Sequence, residues 1–242
     1  MTSLKKLEGI DYIDMTFREK QPTIILLHGY GANMRDLAPL ATLSPELKNY
    51  NWIFPDGTLE VPIGPFMKGK AWFPIDMEEL NQAMMTGNFE SLFSKGIPEG
   101  LEDCATRILK FIEALKKEKS SQEIILGGFS QGSMLALYLT LIKGMRPTAL
   151  LLLSSTLIGK KELGIAFDKE NQESLNLLSI PIFQSHGVSD PVLPISMARA
   201  LHEFLKEKKM KVDYQEFPGG HEIPPTVMGG MISFLKDNLY ES

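Results

Sequence analysis

Glu123-Ile124-Ile125-Leu126-Gly127-Gly128-Phe129-Ser130-Gln131-Gly132-Ser133-Met134-Leu135-Ala136-Leu137-Tyr138-Leu139 reads as a strand, a sharp turn and a helix. Residues 123–127 are an apolar run of strand length, and 133–139 begin an apolar stretch long enough for a helix. Between them Gly128-Phe129-Ser130-Gln131-Gly132 fits G-x-S-x-G, which in that setting marks a nucleophile elbow. A serine on so tight a turn projects its oxygen from the sheet. Gly128 and Gly132 leave room where a Cβ would strike the neighbouring strand or helix.

The same alternation runs outward from this point. Strands are predicted at Thr23–Leu27, Asn51–Phe54, Glu123–Gly127, Ala149–Leu153, Ile182–Ser185 and Val212–Phe217. Runs such as Ile24-Ile25-Leu26-Leu27 and Leu150-Leu151-Leu152-Leu153 are apolar without alternation, as strands buried on both faces of a parallel sheet are. Helical patterns fall at Met34–Leu43, Glu99–Lys119, Gln131–Lys143, Ile195–Lys209 and Pro224–Tyr240. This is an α/β chain with a mostly parallel central sheet. Gly9–Arg18 alternates and is expected as an edge strand or hairpin. Pro55–Pro98, rich in Gly, Pro and Met, is expected to be a long functional loop or lid without clear strands. Leu157–Ser179 is a smaller excursion. No linker or repeat divides the 242 residues, so one domain over 1–242 is expected.

Composition narrows the function classes. Hydrophobic content of 43% and charged content of 23% are ordinary for a globular protein. A net charge of −5 offers nucleic acid no electrostatic purchase. No stretch reaches the roughly 18–20 apolar residues of a membrane span, and Met1–Glu8 has no apolar signal core, so a cytoplasmic location is expected. A single cysteine, Cys104, excludes an intramolecular disulfide and reads as a small core residue in a helix.

A serine hydroxyl needs a base, and the base an orienting acid. In α/β-hydrolases the chain order is nucleophile, acid, histidine. Downstream of Ser130 lie His186, His202 and His221. His202 falls inside a helical pattern, and His186 precedes every strong acid candidate. His221, in Phe217-Pro218-Gly219-Gly220-His221-Glu222, follows the last strand and is the expected base. Asp190, on the loop after Ile182–Ser185, is the expected acid; Asp168 and Asp213 are the rivals. The oxyanion donors are expected to be the main-chain N–H groups of Gln131 and of Tyr30, in His28-Gly29-Tyr30-Gly31-Ala32-Asn33. His28 and His186, each before a glycine at a strand end, are read as hydrogen-bonding the oxyanion loop and the acid loop.

His28-Gly29-Tyr30-Gly31, Gly127-Gly128-Phe129-Ser130-Gln131-Gly132, His186-Gly187-x-x-Asp190-Pro191-x-x-Pro194 and Gly219-Gly220-His221-Glu222 together resemble the phospholipase/carboxylesterase family, which includes the acyl-protein thioesterases. Ala71-Trp72-Phe73 also looks like a groove-lining segment of that family. The resemblance implies an α/β-hydrolase fold with helices on both faces of the sheet and no large cap. It implies a Ser130–Asp190–His221 triad, esters or acyl thioesters as substrates, and no metal or organic cofactor. Trp72 and Phe73 would line the substrate groove. Ser133 and Ala32-Asn33 depart from the usual third glycine and acidic residue. The Met and Phe residues of 84–93 leave three readings open: an acyl-binding wall, plain packing, or a homodimer contact. Two alternatives stand beside the esterase reading. One is a lipase, lysophospholipase or serine peptidase on the same fold; the other is a non-catalytic binding protein that retains it.

Overall fold

A computed structural model describes residues 2–87, 96–119, 123–168 and 177–239. Ten strands are described: β1 (Thr2–Leu7), β2 (Ile10–Met15), β3 (Thr23–Leu27), β4 (Asn51–Pro55), β5 (Leu59–Pro62), β6 (Lys68–Ala71), β7 (Ile124–Phe129), β8 (Ala149–Leu153), β9 (Ile182–Gly187) and β10 (Val212–Phe217). The α-helices are α1 (Met77–Thr86), α2 (Leu101–Glu118), α3 (Gln131–Leu141), α4 (Lys160–Asp168), α5 (Ile195–Glu207) and α6 (Pro225–Leu239). Eight strands form one sheet in the order β1-β2-β4-β3-β7-β8-β9-β10. From β4 to β10 all neighbours are parallel; β1 and β2 join antiparallel. Strands β3, β4, β8 and β9 are buried along their whole length, which is why their sequences show no alternation.

Helices cover both faces. Leu126, Leu150, Leu152 and Ile182 pack in one core cluster with Ile108 of α2, Leu135 of α3 and Leu201 of α5. Ile24, Leu26, Leu151 and Phe183 pack on the other side with Met228, Met231 and Phe234 of α6. Every residue of α3 is buried, so it carries no polar stripe.

Four expectations change. β1 is a full strand, although Thr-Ser-Leu-Lys-Lys-Leu is mostly polar. Glu8 (φ 50°) and Gly9 (φ 79°) turn it into β2 with the left-handed pair of a two-residue hairpin. Met34–Leu43 is no α-helix: Ala38–Thr42 is a 3₁₀ turn, and Pro39 lacks the N–H an α-helix would use there. The turn before it is tied by side chains, Asn33 N–H donating to Asp36 Oδ2 and Arg35 N–H to Asn33 Oδ1, both at 2.9 Å. The stretch 55–98 contains the β5–β6 hairpin and α1. Asp76 caps α1, its carboxylate accepting from Glu78 and Glu79 N–H at 3.0 and 2.9 Å, and Gly87 ends it at φ 70°. Within Leu157–Ser179, α4 is formed. Residues 88–95 of the Met/Phe stretch lie outside the described residues, while Met85 is 88% exposed.

The edge hairpin is fastened by one buried charge. Asp14 on β2 is 2% exposed and bonds Lys5 Nζ at 2.7 Å, Thr16 Oγ1 at 2.6 Å and Lys119 Nζ at 2.8 Å, just past α2. Burial pushes its carboxyl up, but the bonds from Lys119, Lys5 and Thr16 outweigh burial and hold it below the ordinary range. A folded-state value below the unfolded one stabilises above about pH 4, and the effect fades as pH falls through the folded value. Asp14→Asn is therefore expected to cost roughly 1.5–3 kcal/mol at pH 7. Urea unfolding at pH 7 and pH 3 checks this: the gap between wild type and variant should narrow on acidification, and a gap that stays constant would refute it.

Candidate active site

The elbow forms where sterics demand it. Ser130 follows β7 at φ 54°, ψ −121° and heads α3. Such a backbone costs about 1–3 kcal/mol, held here by its surroundings. Ser130 N–H donates to Leu153 O of β8 at 2.9 Å. A Cβ on Gly128 would stand 2.2 Å from the Gly132 carbonyl carbon, and one on Gly132 2.2 Å from Leu27 O. Ser133, where a third glycine is usual, is fully buried and donates its hydroxyl to Ser130 O at 2.5 Å.

The loops after β9 and β10 meet beside it. A Cβ on Gly187 would lie 2.2 Å from Gly220 O, and Ser189 N–H donates to Gly219 O at 3.0 Å. This contact brings His221 Nδ1 to 2.7 Å from Asp190 Oδ2. The other carboxylate oxygen of Asp190 accepts from Val192 and Leu193 N–H, both at 2.8 Å. Burial raises the Asp190 carboxyl, but His221 and the two N–H groups prevail and hold it below the ordinary range. The His221 ring lies 4.7 Å from that of Phe129, one residue before Ser130.

The loop after β3 closes the third side. A Cβ on Gly29 would be 3.4 Å from Ser130 Cβ. Gly31, at φ 78°, donates to Lys70 O at 2.8 Å, and Lys70 N–H donates back to Ala32 O at 2.8 Å. The β5–β6 hairpin thus braces the Tyr30 loop. His28 holds the loop's base: Gly57 N–H donates to its Nε2 at 2.9 Å, so Nδ1 carries the proton and donates to Gly29 O at 2.8 Å. Gln131 is the first residue of α3, where main-chain N–H groups lack an intrahelical acceptor and the helix dipole favours negative charge.

A cleft of about 700 Å³ runs from these groups. Tyr30, Ser130, Gln131 and His221 border it, and Phe73, Ile75, Ile97, Met134, Ile158 and Leu193 give it apolar walls. Phe73 lies on the cleft, but Trp72 does not: it is 1% exposed, and its indole N–H donates to His28 O at 2.7 Å. The groove-lining expectation fails for Trp72 because its ring is needed under the loop, tilted at 34° against the His28 ring with centroids 4.8 Å apart. Sequence reasoning missed the side chain of Gln131. It is 1% exposed, accepts from Trp72 N–H at 3.0 Å and donates to Phe73 O at 2.7 Å. The glutamine thereby clamps the cleft wall to the helix that starts at Ser130. Of the rival acids, Asp213 is exposed on β10 and Asp168 ends α4, neither on the cleft. His202 stacks on Tyr214 at 4.7 Å, and Cys104 is buried with its thiol pushed up to about 12 by burial.

Gln131→Ala keeps the main-chain N–H but leaves Trp72 N–H and Phe73 C=O buried without partners, at about 1–3 kcal/mol each. We expect a lower melting temperature together with a roughly tenfold loss of ester hydrolysis from a displaced cleft wall. Unchanged hydrolysis in a destabilised variant would show that the clamp serves folding alone.

Strand order, elbow and loop arrangement define an α/β-hydrolase fold. A family model for phospholipase/carboxylesterase proteins matches residues 9–239, and the chain belongs to that family. Acyl-protein thioesterase 1 of Saccharomyces cerevisiae is 27% identical over 227 residues, covering 90% of this chain and 92% of its own. Its namesake from Debaryomyces hansenii is 25% identical, covering 93% and 94%. Among solved structures, esterase PE8 superposes with a TM-score of 0.73 at 22% identity, covering 98% and 100% of the two chains. Zea mays acyl-protein thioesterase 2 gives 0.72 at 22%, covering 99% of each. These two share the fold. Among the described residues, no helix is long and apolar enough to cross a membrane, and no group of three or more His, Cys, Asp or Glu side chains is arranged to hold a metal.

Proposed function

We propose that this chain is a serine hydrolase that cleaves carboxylic esters or acyl thioesters through an acyl-enzyme. The observation that carries the reading is the 2.7 Å bond from His221 Nδ1 to buried Asp190, beside the strained Ser130 at the head of an apolar cleft. With Nδ1 donating to the carboxylate, the other ring nitrogen of His221 is the basic one. It takes the Ser130 proton as Oγ attacks the acyl carbonyl. The oxyanion that forms is stabilised by Tyr30 and Gln131 N–H. Collapse expels the alcohol or thiol, which leaves with the proton from His221. Water, deprotonated by His221, then attacks the acyl-enzyme, and the carboxylic acid departs as Ser130 regains its proton. Asp190 stabilises the imidazolium in both halves.

Apolar walls suit an acyl chain, and the acyl-protein thioesterase names of the relatives extend the substrate class to thioesters. Hydrolysis of a p-nitrophenyl ester series, acetate to long chain, tests the reading, with a peptide amide as the control. Ester turnover, labelling by a fluorophosphonate probe and an inert amide are expected, and the best chain length sizes the cleft. A folded chain that turns over no ester and takes no label would instead be a binding protein on this fold.

A further inference from the structure

The following rests on the serine-hydrolase reading. His186, on β9, is completely buried and borders none of the cleft. Its Nε2 lies 2.7 Å from the carbonyl oxygen of Leu193 and 3.3 Å from Asp190 Oδ2. A carbonyl can only accept, so Nε2 carries a proton. Leu193 in turn donates its N–H to Asp190 Oδ1. The carboxylate, the 190–193 loop and the His186 ring therefore form one closed ring of polar contacts. Oδ1 is occupied by two main-chain donors, and Oδ2 is left facing His221 and His186.

We propose that His186 is a positioning residue for the triad: its Nε2–H fixes the Asp190–Leu193 loop and sets the carboxylate rotation that presents Oδ2 to His221. By holding Leu193, His186 places the N–H groups that grip Oδ1, and because a carboxylate is planar and rigid that grip fixes where Oδ2 points. The role demands a neutral ring. A charged one would be a second cation competing with His221 for the same oxygen. The surroundings supply this. His186 Nδ1 is buried with no hydrogen-bond partner among the described residues, so a second proton there would be unsolvated. Burial is the main influence on the ring and lowers its basicity, against the opposite pull of Leu193 O, Asp190 and Glu216 and with the help of His221. Glu216, the register partner of His186 on β10, is engaged bidentately by Arg199 of α5 at 2.7 and 2.8 Å, which moderates that pull.

Two measurements test the assignment. In the unmodified chain with ¹⁵N-labelled histidine, NMR at about pH 7.5 should find His186 protonated at Nε2 and unprotonated at Nδ1, and the ring should take up its second proton only below the ordinary histidine range. A ring that titrates in or above that range, or that carries its proton on Nδ1, overturns the proposal. In parallel, His186→Leu and His186→Gln are assayed on p-nitrophenyl ester beside wild type, with melting temperatures. His186→Leu removes the donor and should lose roughly 10- to 100-fold in kcat with KM little changed. A glutamine amide reaches the Nε2 position and should recover most of that loss. Equal losses in both variants, or an unchanged kcat in His186→Leu, refute the proposal. If the leucine variant does not fold, the tautomer measurement and the kcat of His186→Gln decide it. Wild-type turnover is read in the same assay. A chain inert toward esters refutes the proposed function, whereas an active chain without the expected pattern refutes only the role of His186.

Discussion

Ser130→Ala should abolish ester hydrolysis while leaving the fold intact. Loss of a nucleophilic serine in a triad costs on the order of 10⁶ in kcat in the protease where it has been dissected, with a remainder of roughly 10³–10⁴ over water from the oxyanion hole and binding. A loss of that order is the expectation here. The neighbouring hydroxyls offer no substitute. Ser133 is fully buried and committed to Ser130 O, while Ser154 and Ser155 are 1% and 0% exposed. Alanine at φ 54° carries the same backbone strain as serine, and Ser130's main-chain bond to Leu153 is retained. Circular dichroism and melting should therefore overlay wild type. The assay is p-nitrophenyl ester turnover with fluorophosphonate labelling. A variant that keeps wild-type turnover and labelling would show that another residue is the nucleophile and would dismantle the proposed mechanism.

The parallel sheet was legible because it is buried on both faces. Ala149–Leu153 has nothing polar to mistake for a loop, and its predicted limits match the strand. Strand β9 runs past the expected end at Ser185 to Gly187 because His186, polar in sequence, is inside the protein and paired with β10. The polar β1 and the polar, Gly-bearing β6 went unseen because tertiary pairing imposed their strand geometry. Lys-Gly-Lys-Ala is a strand because Gly69 lets its backbone approach Gly31, where a Cβ would stand 1.9 Å from the carbonyl oxygen. α1 had a readable start in Asp76 with Glu79 three residues on, and a readable stop in Gly87, but the surrounding Pro and Met content masked them. In the site, chain order singled out Asp190 and His221, which the structure brings within 2.7 Å of each other. The side-chain clamp of Gln131 and the burial of Trp72 were not readable. Both depend on which backbone groups of residues 72–73 come to face α3, 58 and 59 positions away in sequence.

Gly132→Val should have the largest effect on the fold. An ideal Cβ at this position meets Leu27 O at 2.2 Å, Leu27 C at 2.5 Å and His28 O at 2.6 Å. All three are main-chain atoms of the β3 end and its loop, so no side-chain rotamer change relieves the clash. Either α3 lifts from the sheet or β3 is pushed away from β7, and both movements open the core. Overpacking of a well-filled interior costs about 1–3 kcal/mol when side chains can yield. A backbone clash against the central strands should reach or pass the upper end of that range, a large part of the roughly 5–15 kcal/mol that keeps a domain folded. The same movement separates the Gln131 N–H from the Tyr30 loop, which His28 ties to the end of β3. Soluble yield and urea midpoint measure the first effect, and fluorophosphonate labelling of whatever folded protein remains measures the second. Gly29→Ala is the internal control. Its Cβ would meet Phe129 Cδ1 at 3.3 Å and Ser130 Cβ at 3.4 Å, contacts a small side-chain shift can absorb, so it should fold and lose activity alone. If Gly132→Val folded and melted like wild type, α3 would not lie against the β3 main chain, and the strain at Ser130 would have another origin.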